Sequence, residues 1–167
     1  DVTGVQTCAL PIWIADGGRA SVEKEAKALL AAGHRVLAVD PFYFGESKIA
    51  SRDFLYALLI SAVGDRPLGI QASQVAAIAR WANKHFDGPV QVMSVGERTS
   101  LIALCAAGLE PKAISKVELH GSFASLKEII ERNMSVNQAP ELFCFGLLRA
   151  FDIQHLAKLV ADRKSTV

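Results

Sequence analysis

The chain has 167 residues, 51% of them hydrophobic and 21% charged, with a net charge of +1. That is globular composition with enough apolar residues for a sizeable core, and it excludes disorder driven by low hydropathy and high charge. The charge gives no pull toward nucleic acid or an acidic membrane. The longest apolar run, Phe54 to Val63, falls far short of the roughly 20 residues of a bilayer span.

Asp1 to Ile12 reads DVTGVQTCALPI, which resembles a translated sequencing adapter of the kind that ends metagenomic gene fragments. These twelve residues are set aside as a non-native artefact, and Cys8 with them. The start at Asp1 and the stop at Ser165-Thr166-Val167 give the expectation of a fragment, with a partial domain over 13–167 truncated at both ends. The other cysteines, Cys105 and Cys144, stand in unrelated contexts and form no metal motif and no disulfide framework.

Ile12-Trp13-Ile14-Ala15 predicts a first strand, closed by the turn signal Asp16-Gly17-Gly18. Ser21 is the expected cap of a helix with Glu23 and Glu25 in its first turn. Val22, Ala26, Leu29 and Leu30 form its buried face, and Gly33 stops it. Arg35 to Val39 predicts a strand covered on both sides. Asp40 to Ser47 is a loop, and Phe54 to Val63 a helical or lid-like segment. A helix follows over Ile70 to Phe86, with Val75, Ile78, Ala79, Ala82 and Phe86 on one face. Val90 to Val95 is the third strand, Thr99 to Leu109 a buried apolar helix, and Lys116 to Leu119 the fourth strand. Helical stretches are expected from Ser125 to Asn133, Pro140 to Phe151 and Ile153 to Asp162.

Strand–helix alternation with buried strands predicts an α/β fold, a three-layer αβα sandwich with a mainly parallel sheet. Functional groups in such sheets sit at the carboxyl ends of the strands. Those ends are Asp16-Gly17-Gly18, Asp40 to Ser47, Gly96 to Thr99, and His120-Gly121-Ser122. A Rossmann-like nucleotide-binding domain has this order of strand, glycines, helix and acidic second strand end. However, Gly17-Gly18 is followed by Arg19, Ala20, Ser21, Val22 and Glu23, without a third glycine. Neither Tyr43 nor Tyr56 has a lysine four residues later, as a short-chain dehydrogenase would want.

Other segments carry a different resemblance. AVDPFYFGES resembles the loop after the fourth strand of α/β-hydrolases, which often reads Asp-x-x-Gly-x-Gly-x-Ser, with Tyr43 in place of the first glycine. GDRPLGIQASQVAAIARWANKHF resembles the loop and helix before the nucleophile strand in acetylxylan-esterase-like and dienelactone-hydrolase-like members. VQVMSVGERTSLIALCAAGL resembles the nucleophile strand, its elbow and the next helix, and PELFCFGLLRAFDIQHLAKLVADRK the approach to the seventh strand. The resemblance implies a partial α/β-hydrolase fold and carboxylic ester hydrolysis.

Active members of that family carry Gly-x-Ser-x-Gly at a sharp strand-to-helix turn. With Gly96 as the first glycine, Ser100 takes the place of the second, and Arg98 stands at the nucleophile position. A guanidinium does not attack an ester carbonyl. A register shifted to Ser94-Val95-Gly96 makes Ser94 the nucleophile of an active serine carboxylesterase, and Cys105 is a further, thiol alternative. The resemblance puts the acid after the seventh strand and the histidine after the eighth, both beyond Val167.

The resemblance places the oxyanion donors near Gly17, Gly18 and Thr99, so that with Arg98 the site is expected to hold an anion; Arg98 pairing with Glu97, Asp40 or solvent is the plain alternative. Phe42, Tyr43 and His120 are candidate cleft-lining residues, and Phe44, Phe143 and Phe145 add aromatic surface. The expected protein is a catalytically degenerate hydrolase-like domain without metal or cofactor. Its expected partners are a small ester or carbohydrate-derived ligand and a second, active hydrolase domain in the parent chain.

Overall fold

The structure is a computed structural model that describes residues 9–49, 51 and 55–164. Four parallel strands form one sheet: β1 (Leu10–Ala15), β2 (Leu37–Ala38), β3 (Val90–Val95) and β4 (Ile114–His120), in the order β2-β1-β3-β4. All six residues of β1 are buried, because β1 is an inner strand with helices over both faces. The strand takes in Leu10, Pro11 and Ile12 of the adapter-like stretch, two residues more than the expected start at Ile12; Leu10 and Ile12 pair with Val90 and Val92 and belong to the core. Most of the stretch read as adapter, residues 1–8, lies outside the described residues.

The chain steps from β1 to β2 in one direction, then from β2 to β3 and β3 to β4 in the other. Right-handed crossovers in opposite directions put helices on opposite faces. On one face α1 (Glu23–Ala31) lies over Trp13, Ala15, Met93 and Val95, which pack with Val22 and Leu29. On the other, α3 (Pro67–His85) and α4 (Glu97–Leu109) cover Ile12, Ile14, Val90 and Val92, and α7 (Ile153–Lys164) packs on α4. This is the α/β architecture expected from the alternating pattern.

Local differences have local causes. Ser21 does not cap α1: its hydroxyl donates to the Gly18 carbonyl (2.7 Å), residues Arg19–Val22 form a 3₁₀ turn, and α1 starts at Glu23. Leu30 is exposed rather than part of a buried face. β2 is an edge strand and shrinks to two paired residues, extended only by the Val39 amide on the Trp13 carbonyl (2.9 Å). The helix α2 spans Tyr56–Ala62, and Phe54, where that helix was expected to begin, lies outside the described residues. α3 starts three residues earlier than the periodicity suggests, with Pro67 in the first turn, where its missing N–H costs nothing. The stretch from Ser125 holds only α5 (Glu128–Glu131). The expected helix over Pro140 to Phe151 splits into a 3₁₀ turn (Pro140–Leu142) and α6 (Leu147–Ala150), because Gly146 takes a left-handed φ of 81°.

Candidate functional site

In this strand order the direction of winding reverses between β1 and β3, and open α/β sheets bind ligands in the crevice at such a point. The loops that form it are the one after β1, starting at Asp16, and the turn from β3 into α4. The turn is made at Gly96, with φ 114° and ψ 163°, a conformation open essentially only to glycine. Arg98, expected at the nucleophile position, is instead the second residue of α4, two residues past the strained turn.

The Asp16 carboxylate fills the mouth of this turn. One oxygen accepts the Thr99 amide (2.8 Å) and the Thr99 hydroxyl (2.8 Å), and the other accepts the Arg98 amide (3.2 Å). These are the amides at the positive end of the α4 dipole, where an anion is held best. A Cβ on Gly96 would fall within 3.0 Å of the carboxyl carbon and both oxygens of Asp16. Thus the anion seat expected at Thr99 holds a carboxylate of the chain itself. Gly18, the other expected donor, spends its amide on the Ala15 carbonyl (2.9 Å), and Gly17 is an exposed turn residue.

A second carboxylate works the same way one loop over. Asp40, at the end of β2, accepts the amides of Arg19 (2.6 Å) and Glu46 (3.0 Å) and lies 3.9 Å from the Arg19 guanidinium. Gly45, with φ 48°, passes directly over it. Arg19 also pairs with Glu46, which raises its pKa.

The Arg98 side chain is held by Glu141 and Phe44. Its guanidinium makes a two-pronged pair with Glu141, with Nη2 3.2 Å from Oε2, and lies 4.4 Å from the centre of the Phe44 ring. Glu141 is 0% exposed, so the pair is a buried structural tie between α4 and the 3₁₀ turn at Pro140–Leu142. Glu141 was not singled out in the sequence, and Arg98 meets none of its expected partners Glu97 and Asp40 in this arrangement.

Ser94 is fully buried on β3. Its hydroxyl bonds that of Ser100 (3.1 Å) and the Glu118 carbonyl (3.3 Å), the pattern of a satisfied core serine. Ser100 is equally buried in α4. Cys105 lies deep in α4, and burial pushes its thiol up to about 12, which keeps it protonated and a poor nucleophile.

Of the aromatic residues, Tyr43 and Phe44 are buried in packing, Phe42 is half-buried and borders a small pocket with Val39, Asp40 and Gln74, and Phe145 is exposed. Tyr43 is buried and stacks on Tyr56 at 3.7 Å, Phe42 meets Tyr56 edge-on, and Phe44 is buried under Arg98. Burial raises the Tyr56 phenol, and its hydroxyl has no hydrogen-bond partner among the described residues. His120 is exposed at the end of β4, stacked 6.5 Å from Trp13. His85 and His155 bond local backbone groups. Asp152 accepts Ser125 and the amides of Leu126 and Ile153. Among the described residues no three His, Cys, Asp or Glu side chains cluster as metal ligands, and no helix is long and apolar enough to cross a membrane.

No family model matches the chain, and no curated protein matches it either.

Proposed function

We propose that this chain is a catalytically degenerate domain of the α/β-hydrolase type, similar to acetylxylan and other carboxyl esterases, which serves as a non-catalytic partner of an active hydrolase domain. The observation that carries the reading is the filled turn: Arg98 stands at the nucleophile position with its guanidinium committed to Glu141, and Asp16 occupies the Arg98 and Thr99 amides at the start of α4. The loop after β2 lends support. In the pattern Asp-x-x-Gly-x-Gly-x-Ser the two glycine positions fall on Tyr43 and Gly45, and both have left-handed backbone, with φ 69° and 48°. Tyr43 therefore keeps a glycine-like conformation at a position where the pattern asks for glycine.

The strand order also suits a nucleotide-binding sheet. That reading seats the phosphate at the turn after β1, where the Gly18 amide is spent on the Ala15 carbonyl and the Arg19 amide on the Asp40 carboxylate. That counts against the nucleotide reading. The esterase reading through Ser94 meets a hydroxyl enclosed between Ser100 and the Glu118 carbonyl.

The test is labelling with a serine-directed fluorophosphonate, together with hydrolysis of an activated acetate. Neither is expected above the level of buffer. Labelling mapped to Ser94 and removed by Ser94→Ala would restore an active esterase.

A further inference from the structure

The far half of α4 borders a groove that the site above does not use. It lies between α3, α4, α6 and α7 and has a volume of about 550 Å³. Gly108, which borders it, stands roughly 13 Å along the α4 axis from Thr99. Its walls are Leu68, Leu104, Leu147, Leu156 and Leu159, and Leu109 and Phe151 stand exposed at its rim. A glycine at 108 keeps the floor low; a Cβ there meets only the Leu159 methyl at 3.8 Å.

Among the described residues one charged side chain borders this apolar trough, and it is a cation. Arg66 sits just before α3 and spends Nη1 on the backbone carbonyl of Asp65 (2.8 Å). Among the described residues it has no carboxylate partner. Among the described residues no acidic side chain lines the groove. An apolar cavity of this size with a single cation suits an aliphatic chain with an anionic end. The planar guanidinium matches a carboxylate through two parallel hydrogen bonds. Cys144 borders the same groove as Arg66; burial raises its thiol, and the Arg66 charge acts against that rise.

We propose that the groove binds an aliphatic carboxylate, its chain over the leucine wall and its head on Arg66. The assignment is independent of how the Gly96 turn is read.

Calorimetric titration of the full chain with dodecanoate, below its micelle concentration, tests it. Saturable one-site binding is expected. Arg66→Gln should weaken it about tenfold, the worth of a charged hydrogen-bonded pair. Gly108→Leu fills the trough from a helical position with room for a side chain and should abolish binding while the circular dichroism stays that of wild type. Dodecyltrimethylammonium, with the same chain and opposite head, should bind at least tenfold more weakly than dodecanoate. Absence of saturation, equal affinity for the two heads, or an affinity unmoved by Gly108→Leu would each overturn the assignment.

Discussion

Replacing Gly96 by alanine tests the central geometry most directly. Two costs follow from the structure. The backbone at φ 114°, ψ 163° is a glycine-only region, so any other residue is strained there by about 1–3 kcal/mol. The new methyl would also overlap the whole Asp16 carboxyl group, within 3.0 Å of three of its atoms. Asp16 must then retreat from the amides of Arg98 and Thr99 and from the Thr99 hydroxyl. Hydrogen bonds to a charged group contribute about 1.5–3 kcal/mol each and do not add independently. The combined expectation is a loss of about 3–5 kcal/mol, against the roughly 5–15 kcal/mol that holds a typical domain. Urea unfolding followed by circular dichroism measures it, and the matching fall in Tm is roughly 10 °C or more.

Two comparisons make the experiment specific. Gly108→Ala sits mid-helix with room for its methyl and should stabilise by about 0.5–1 kcal/mol. Asp16→Ala combined with Gly96→Ala removes the group that the methyl strikes. The double variant should therefore cost less than the sum of the singles, by about 1 kcal/mol or more. A Gly96→Ala protein within about 1 kcal/mol of wild type, or strictly additive singles, would refute the argument that the turn and the carboxylate fill one space.

The buried Arg98–Glu141 tie makes a further test. Arg98→Met leaves a fully enclosed carboxylate without its cation and should cost about 3 kcal/mol, most of which Arg98→Met with Glu141→Leu should restore; a double variant no more stable than the single would refute this in urea unfolding. Asp152 supplies a pH signature. Burial opposes its ionisation, but the Ser125 hydroxyl and the amides of Leu126 and Ile153 together hold it below its ordinary 3.8. Its folded pKa is thus lower than its unfolded one, so its contribution is whole above about pH 4 and fades as the pH falls through the lowered value. The stability gap between wild type and Asp152→Asn should shrink from about pH 6 to about pH 2, and a constant gap would count against the hydrogen-bond account.

What the sequence makes legible follows from how local each determinant is. β3 is read to the residue, because Val90 to Val95 is bounded by Gly88-Pro89 on one side and Gly96 on the other. α4 is legible as buried because its apolar residues leave no polar face. The break at Gly146 depends on one residue choosing φ 81° over a helical value, which periodicity does not encode. Ser21 looks like a cap, yet its hydroxyl donates to the Gly18 carbonyl within a tight turn. The site is harder still. Spacing alone leaves the elbow register open by four residues, between Arg98 and Ser94, since the strained turn is defined by backbone angles and not by the letters around it. Asp16 meets Thr99 across 83 positions and Arg98 meets Glu141 across 43, and no single-chain pattern ties such pairs together.

The two crevice carboxylates nonetheless share one physical logic. Each stands just past a strand's carboxyl end, and each accepts amides from a neighbouring loop. Each also lies against a glycine with positive φ: Asp16 under Gly96 and Asp40 under Gly45, with a Cβ on either glycine falling inside the carboxyl group. Open α/β sheets gather amide dipoles at this edge, and those dipoles require a negative partner. In a ligand-binding sheet the partner arrives from solution. Here Asp16 and Asp40 supply it from within, and the glycines open the space that lets the carboxylates reach the amides. The same edge that favours an incoming anion in other sheets is thereby turned into a pair of internal ties, Asp16 to the start of α4 and Asp40 to the Arg19 amide.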